Sequence, residues 1–273
     1  MISKNNLLLF TTIHPYGEKY LAQLIKNINE QTYQNFKVFF CFNNLKIKKQ
    51  HLTEINKLKS NSIIFMTNLP PVKSRIVSLK KIIKYRFNGL VFLDCDDLMH
   101  KKRIENLLPY LNKYDFIVNN LKDFDSKKNY FNNIKKKINI SSIIDNNYIG
   151  LSNLTIKKNS LKKIINELNP KLKILDWQMA TLLFLKHQKG IFLRNSITYY
   201  RQHENNFYKN CNLNSIEILK QLKIKQEHYK FFQKYDDVYK NKYDELKNIK
   251  KYFYKKKLYT DKNSKKKTRW LEL

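Results

Sequence analysis

The chain has 273 residues, 42% of them hydrophobic and 14% aromatic, which suits a sizeable core and excludes an intrinsically disordered chain. Its 54 Lys and Arg against 22 Asp and Glu give a formal net charge of +32, which favours polyanionic partners such as nucleic acid, anionic lipid or phosphorylated substrates. Abundant Lys, Asn and Ile beside only 4 Gly indicate a base-biased coding sequence, so a single lysine carries little functional weight.

Predicted elements follow in chain order. "NLLLFTTI" (6–13) reads as a buried strand, and residues 18–30 as a helix with Leu21, Leu24, Ile25 and Ile28 on one face. "FKVFFCF" (36–42) is a second strand, residues 48–59 a polar helix, and "SIIFMT" (62–67) a third strand. Pro70-Pro71 breaks the chain before a helix over 74–85, followed by the strand "LVFLD" (90–94), a helix over 101–111 and the strand "DFIVN" (115–119). This alternation predicts an α/β protein, a mainly parallel sheet covered by helices on both faces.

The polar stretch 121–149 reads as a mobile excursion. After it come the short apolar piece "LSNLTI" (151–156), a helix from Ser160, the apolar helix "LDWQMATLLFLKHQ" (175–188) and the strand-like "IFLRNSITYYRQH" (191–203). Beyond about residue 210 the pattern becomes helical, Lys-dense and rich in Tyr and Phe, which divides the chain into 1–210 and a basic helical extension, 211–273. No apolar run matches a signal peptide, and none reaches the ~18 residues of a membrane span. Cys41, Cys95 and Cys211 are odd in number and form no metal pattern, as in a reducing compartment. The expected location is cytoplasmic, peripheral to the inner face of the plasma membrane if the tail binds lipid.

The chemistry concentrates in "VFLDCDDLMH" (91–100), where Asp94, Asp96 and Asp97 end an apolar run in an acid-poor chain. Ligands of open α/β sheets bind beyond the carboxyl ends of strands. Two Asp at i and i+2 there can direct oxygens at one hard cation, Mn²⁺ or Mg²⁺, completed by water and substrate phosphates. Helix capping is the competing role, and Asp97 fits it best.

"FLDCDD" resembles the Asp-x-Asp metal element of inverting family-2 glycosyltransferases, which have a GT-A (Rossmann-like) fold. "LLLFTTIHPYGEKYLAQLIKNINEQTYQNFKVFFCFNN", "KSRIVSLKKI", "LDWQMATLLF" and "YYRQHENNF" are similar to that family's other elements in the same order, over about residues 5–207. The resemblance implies a nucleotide-sugar donor and a glycan or lipid-linked glycan acceptor, such as capsule, lipopolysaccharide or a glycoprotein glycan. It makes Asp94, Asp96 and His203 metal ligands, Asp176 the catalytic base and Arg75 a partner of the diphosphate. His14, Tyr16, Asn43 and Asn44 fall at the donor-facing turns. Asn43 or Asn44 stands where the family has the acid that reads uracil, a departure that opens the choice of nucleotide. Ile76 and Leu175 replace an Asn and a Glu of the family pattern.

Trp177 beside the base could stack on an acceptor sugar or serve the core. Asp176 could equally cap its helix, and Gln31 and Tyr33 fix the turn into the second strand. "KKYFYKKKLY" (250–259) suits an interfacial helix on an anionic membrane surface, or the solvated face of a packed helix. A sugar nucleotidyltransferase would need a Gly-rich phosphate loop, which "TTIHPYGEKY" lacks. A specific nucleic-acid-binding protein would carry a recognisable binding motif, and none is present.

Overall fold

A computed structural model of the chain describes residues 6–131, 133–203 and 215–248. The strands are β1 (Leu7–Ile13), β2 (Phe36–Asn43), β3 (Ser62–Thr67), β4 (Gly89–Phe92), β5 (Leu98–Met99), β6 (Phe116–Asp123), β7 (Leu154–Lys157) and β8 (Gly190–Tyr200). They form one sheet in the order β3-β2-β1-β4-β7-β6-β8-β5. β1 to β4 are mutually parallel where they pair, and β6 is parallel to β8. β7 runs antiparallel between β4 and β6, and the two-residue β5 is antiparallel to β8.

The helices are α1 (Leu21–Asn29), α2 (Lys49–Ile55), α3 (Pro71–Ile82), α4 (Arg103–Leu107), α5 (Lys158–Ile164), α6 (Leu175–Leu185), α7 (Ser215–Phe232) and α8 (Asp237–Leu246). Every residue of β1 is buried, and the alternation of its side chains divides the core into two layers. Leu7, Leu9 and Ile13 pack with α1, α2 and α4, whereas Leu8 and Phe10 face the layer that holds α3, α5 and α6. Each such apolar side chain contributes about 1.5–3 kcal/mol through burial.

One expectation changes. The polar stretch after β6 is built into the core: Phe131, Ile134, Ile138, Ile143, Tyr148 and Ile149 are buried, and Lys136 O accepts a hydrogen bond from Phe192 N of β8. In the C-terminal part, Leu222, Tyr229, Phe232, Tyr239 and Leu246 of α7 and α8 join the same core layer as Trp177. The described part of the extension is therefore packed on the residues before 210. Segment 250–259, proposed above to meet lipid, lies outside the described residues, as does Cys211.

Candidate active site

Two features of the sheet and two helix starts gather the site at the carboxyl ends of β1 and β4. Because β7 runs antiparallel to β4, the turn 151–153 that leads into it sits beside the end of β4, where Ser152 Oγ accepts from Asp94 N at 2.9 Å. Because β5 pairs with the end of β8, residues 200–203 reach the acidic turn. The first turns of α3 and α6 complete the walls. The result is a cleft of about 640 Å³ lined by His14, Tyr16, Arg75, Asp94, Asp96, Asp176 and His203, among others.

Arg75 Nη2 donates to Asp94 Oδ1 at 3.1 Å, and His203 Nε2 meets Asp96 Oδ2 at 2.7 Å. Asp94 keeps 32% of its side-chain surface open, yet desolvation on the cleft floor raises its pKa. Asp96 pushes it further up, and Arg75 opposes the rise. Arg201 locks the turn from behind: its backbone N donates to Asp97 Oδ1 at 2.8 Å, and its Nε to Asp96 O at 2.8 Å.

Asp97 caps no helix. It is buried, and burial together with Asp96 and Asp94 raises its pKa well above the usual carboxylate range. Beneath it, the buried Arg103 donates from Nη2 to Phe92 O at 2.8 Å, while among the described residues its Nε and Nη1 and Asp97 Oδ2 find no hydrogen-bond partner. Desolvation lowers the Arg103 pKa to about 9.

Asp176 lies in the first turn of α6, whose N-cap is Ile174, so its carboxylate is not the cap. Its Oδ1 accepts from Trp177 N at 2.6 Å. Desolvation raises its pKa to about 7, the Trp177 N–H opposes that, and Asp94 adds to it. Trp177, one residue on, turns the other way. Its side chain is fully buried, donates from Nε1 to Ile143 O at 2.7 Å and stacks on His228 with 3.7 Å between centroids. Trp177 thus has no free face for an acceptor sugar, because successive helical side chains diverge by ~100°.

His14 Nδ1 accepts from Gly17 N at 3.2 Å, and burial lowers its pKa despite Asp96. Tyr16 is 67% exposed at the mouth. Asn43 and Asn44 do not line the cleft. Asn43 is buried, and its Oδ1 accepts from Thr67 Oγ1 at 2.9 Å and from Leu69 N at 3.3 Å, tying β2 to the turn after β3. Asn44 adopts φ 52°, a left-handed conformation that Asn tolerates. Gln31 is likewise structural, donating from Nε2 to His100 O at 3.1 Å.

Sequence reasoning missed Ser152, Tyr200, Lys171 and Lys173, which also line the cleft. Only the last two carried a signal, their nearness to Asp176. Among the described residues, no three His, Cys, Asp or Glu side chains converge as a cation cage.

No known family pattern matches the sequence, and no curated protein aligns with it significantly. Solved structures do resemble it. S. aureus TarS 1–349 in complex with UDP-GlcNAc superposes with a TM-score of 0.61 at 14% identity, over 82% of this chain and 66% of that one. The fold is GT-A-like. TarS 1–349 alone gives 0.59 at 17% identity, over 85% and 73%, and its complex with UDP gives 0.56 at 16%, over 84% and 73%. The chain thus spans just under two thirds of the TarS chain bound to UDP-GlcNAc.

Proposed function

We propose that the chain is an inverting glycosyltransferase of the family-2 type, moving a sugar from a nucleotide-sugar donor to a hydroxyl of a cell-surface glycan. The observation that supports this most is one cleft in which Asp176, with a pKa of about 7, faces the pairs Arg75–Asp94 and His203–Asp96. The likeness to TarS, solved with UDP-GlcNAc and with UDP, adds support for a nucleotide-sugar as donor.

Asp176 takes the proton of the acceptor hydroxyl as its oxygen attacks the anomeric carbon. The bond to the nucleoside diphosphate breaks on the opposite face, so configuration inverts. Arg75 offers a guanidinium fork to the departing diphosphate. His203 orients the Asp96 carboxylate. Asp94 and Asp96 offer hard carboxylate oxygens at the strand end and would hold Mn²⁺ or Mg²⁺ there. Such an ion supplies neutralisation of the leaving diphosphate.

Among the described residues no helix is long and apolar enough to cross a membrane. Association with the membrane surface through 250–259 remains part of this proposal.

The test is transfer from a panel of nucleotide-sugars to bacterial surface glycans, with the anomeric configuration of the product read by NMR. Inverted product supports the reading; retained configuration overturns the single-base mechanism.

A further inference from the structure

The loop between α5 and α6 carries two cations into the cleft. Lys171 and Lys173 are exposed and line it, while Leu172 between them is buried and anchors the loop in the core. The loop is also held from behind. Gln178, fully buried in α6, accepts from Asn169 N through its Oε1 and donates from its Nε2 to Asn169 O at 3.1 Å. Asn169 Oδ1 in turn accepts from Lys171 N at 3.0 Å. Among the described residues neither lysine has a carboxylate within ion-pair distance. Their place on an anchored loop at the cleft sets the pair apart from the many solvated lysines of the chain.

The position of the loop indicates which substrate it meets. Arg75 and the start of α3 flank Asp94, on the side where the diphosphate is proposed to sit. Lys171 and Lys173 lie in the loop that leads directly into Asp176. A base must touch the acceptor hydroxyl, so the side chains of its own loop border the acceptor.

Resting on the glycosyltransferase reading of this cleft, we infer that the acceptor is an anionic glycan whose phosphate or carboxylate groups are gripped by Lys171 and Lys173. Two neighbouring cationic side chains lining the cleft suit such anions, and a neutral glycan would leave both without a counter-charge.

Calorimetric titration with three probes tests this: a pentamannose bearing a terminal phosphate, its dephosphorylated counterpart, and hexagalacturonate. The proteins are wild type, Lys171→Gln/Lys173→Gln, and Lys80→Gln/Lys81→Gln, which removes the same charge at the exposed far end of α3. The phosphorylated or the carboxylated probe should bind wild type and the α3 variant alike, and bind the loop variant about tenfold or more weakly. Whichever probe binds identifies the anion. Nucleotide-sugar affinity should stay within about twofold. Equal binding of the charged and dephosphorylated pentamannose, equal losses in both variants, or a loss of nucleotide-sugar affinity in the loop variant would each overturn the inference. If the anion binds through these lysines while no nucleotide-sugar binds at all, the anion site stands and the glycosyltransferase reading fails.

Discussion

Asp176→Asn should stabilise the fold while it removes turnover. The raised pKa means that the folded state holds the Asp176 proton more tightly than the unfolded chain does. Below pH 3.8 both states are protonated, and the group has no effect on stability. Between 3.8 and about 7 the unfolded state has lost its proton and the folded state has kept it, so stability falls as pH rises. Above about 7 the full cost is present. At about 1.36 kcal/mol per pH unit the bound is about 4 kcal/mol, and partial exposure to the cleft reduces the expected cost to roughly 1–3 kcal/mol. Asn removes this cost while its Oδ1 still accepts from Trp177 N. Thermal melts of both proteins from pH 4 to 8.5 should show no gap at the acid end. By pH 8 the variant should melt roughly 3–8 °C higher. Its turnover should drop about 10²–10⁴-fold, the scale of general-base loss. In wild type, turnover should rise about tenfold per pH unit below about 7 and then level off. A melting gap independent of pH, or a less stable variant at pH 8, would refute the argument from desolvation. Near-normal turnover would refute the catalytic role.

Trp177→Ala should cost about 3–5 kcal/mol by opening a cavity beside His228, seen in denaturant melts, whereas Trp177→Phe should retain acceptor KM because the ring meets no acceptor. Gly17→Ala would bring a Cβ within 2.2 Å of Cys95 Sγ, so it should weaken nucleotide-sugar binding, and Cys95→Ala in the same chain should restore it. Arg75→Lys keeps the charge but loses the fork, and nucleotide-sugar affinity measured by calorimetry should fall about tenfold.

Periodicity made most of the sheet legible, because β1, β2 and β4 are apolar runs bounded by polar helices and turns. The acidic turn was legible because three carboxylates at a strand end stand out in an acid-poor chain. Other parts depend on contacts between distant residues. β5 is two residues long and exists only through its pairing with β8. Between β6 and β7 the buried Phe131, Ile134 and Ile138 are scattered among Lys and Asn, so residues 121–149 look like a solvated excursion. Asp176 and Trp177 are adjacent in sequence and attract one functional reading, but helix geometry sends one to the cleft and the other to His228. Asp97 follows the same logic. Its sequence context suggests a cap, while its real partner, Arg201 N, comes from 104 residues further along the chain.

Binding of UDP-, GDP-, dTDP- and CMP-linked sugars with and without Mn²⁺, measured by calorimetry on wild type and Asp96→Asn, bears most directly on the proposal that this cleft holds a nucleotide-sugar. At least one donor should bind wild type and bind more tightly with Mn²⁺, and Asp96→Asn should erase the metal-dependent gain while its melting curve stays cooperative. Failure of every donor to bind would contradict the account of the cleft, and an undiminished Mn²⁺ effect in Asp96→Asn would contradict the assignment of the cation to the acidic turn.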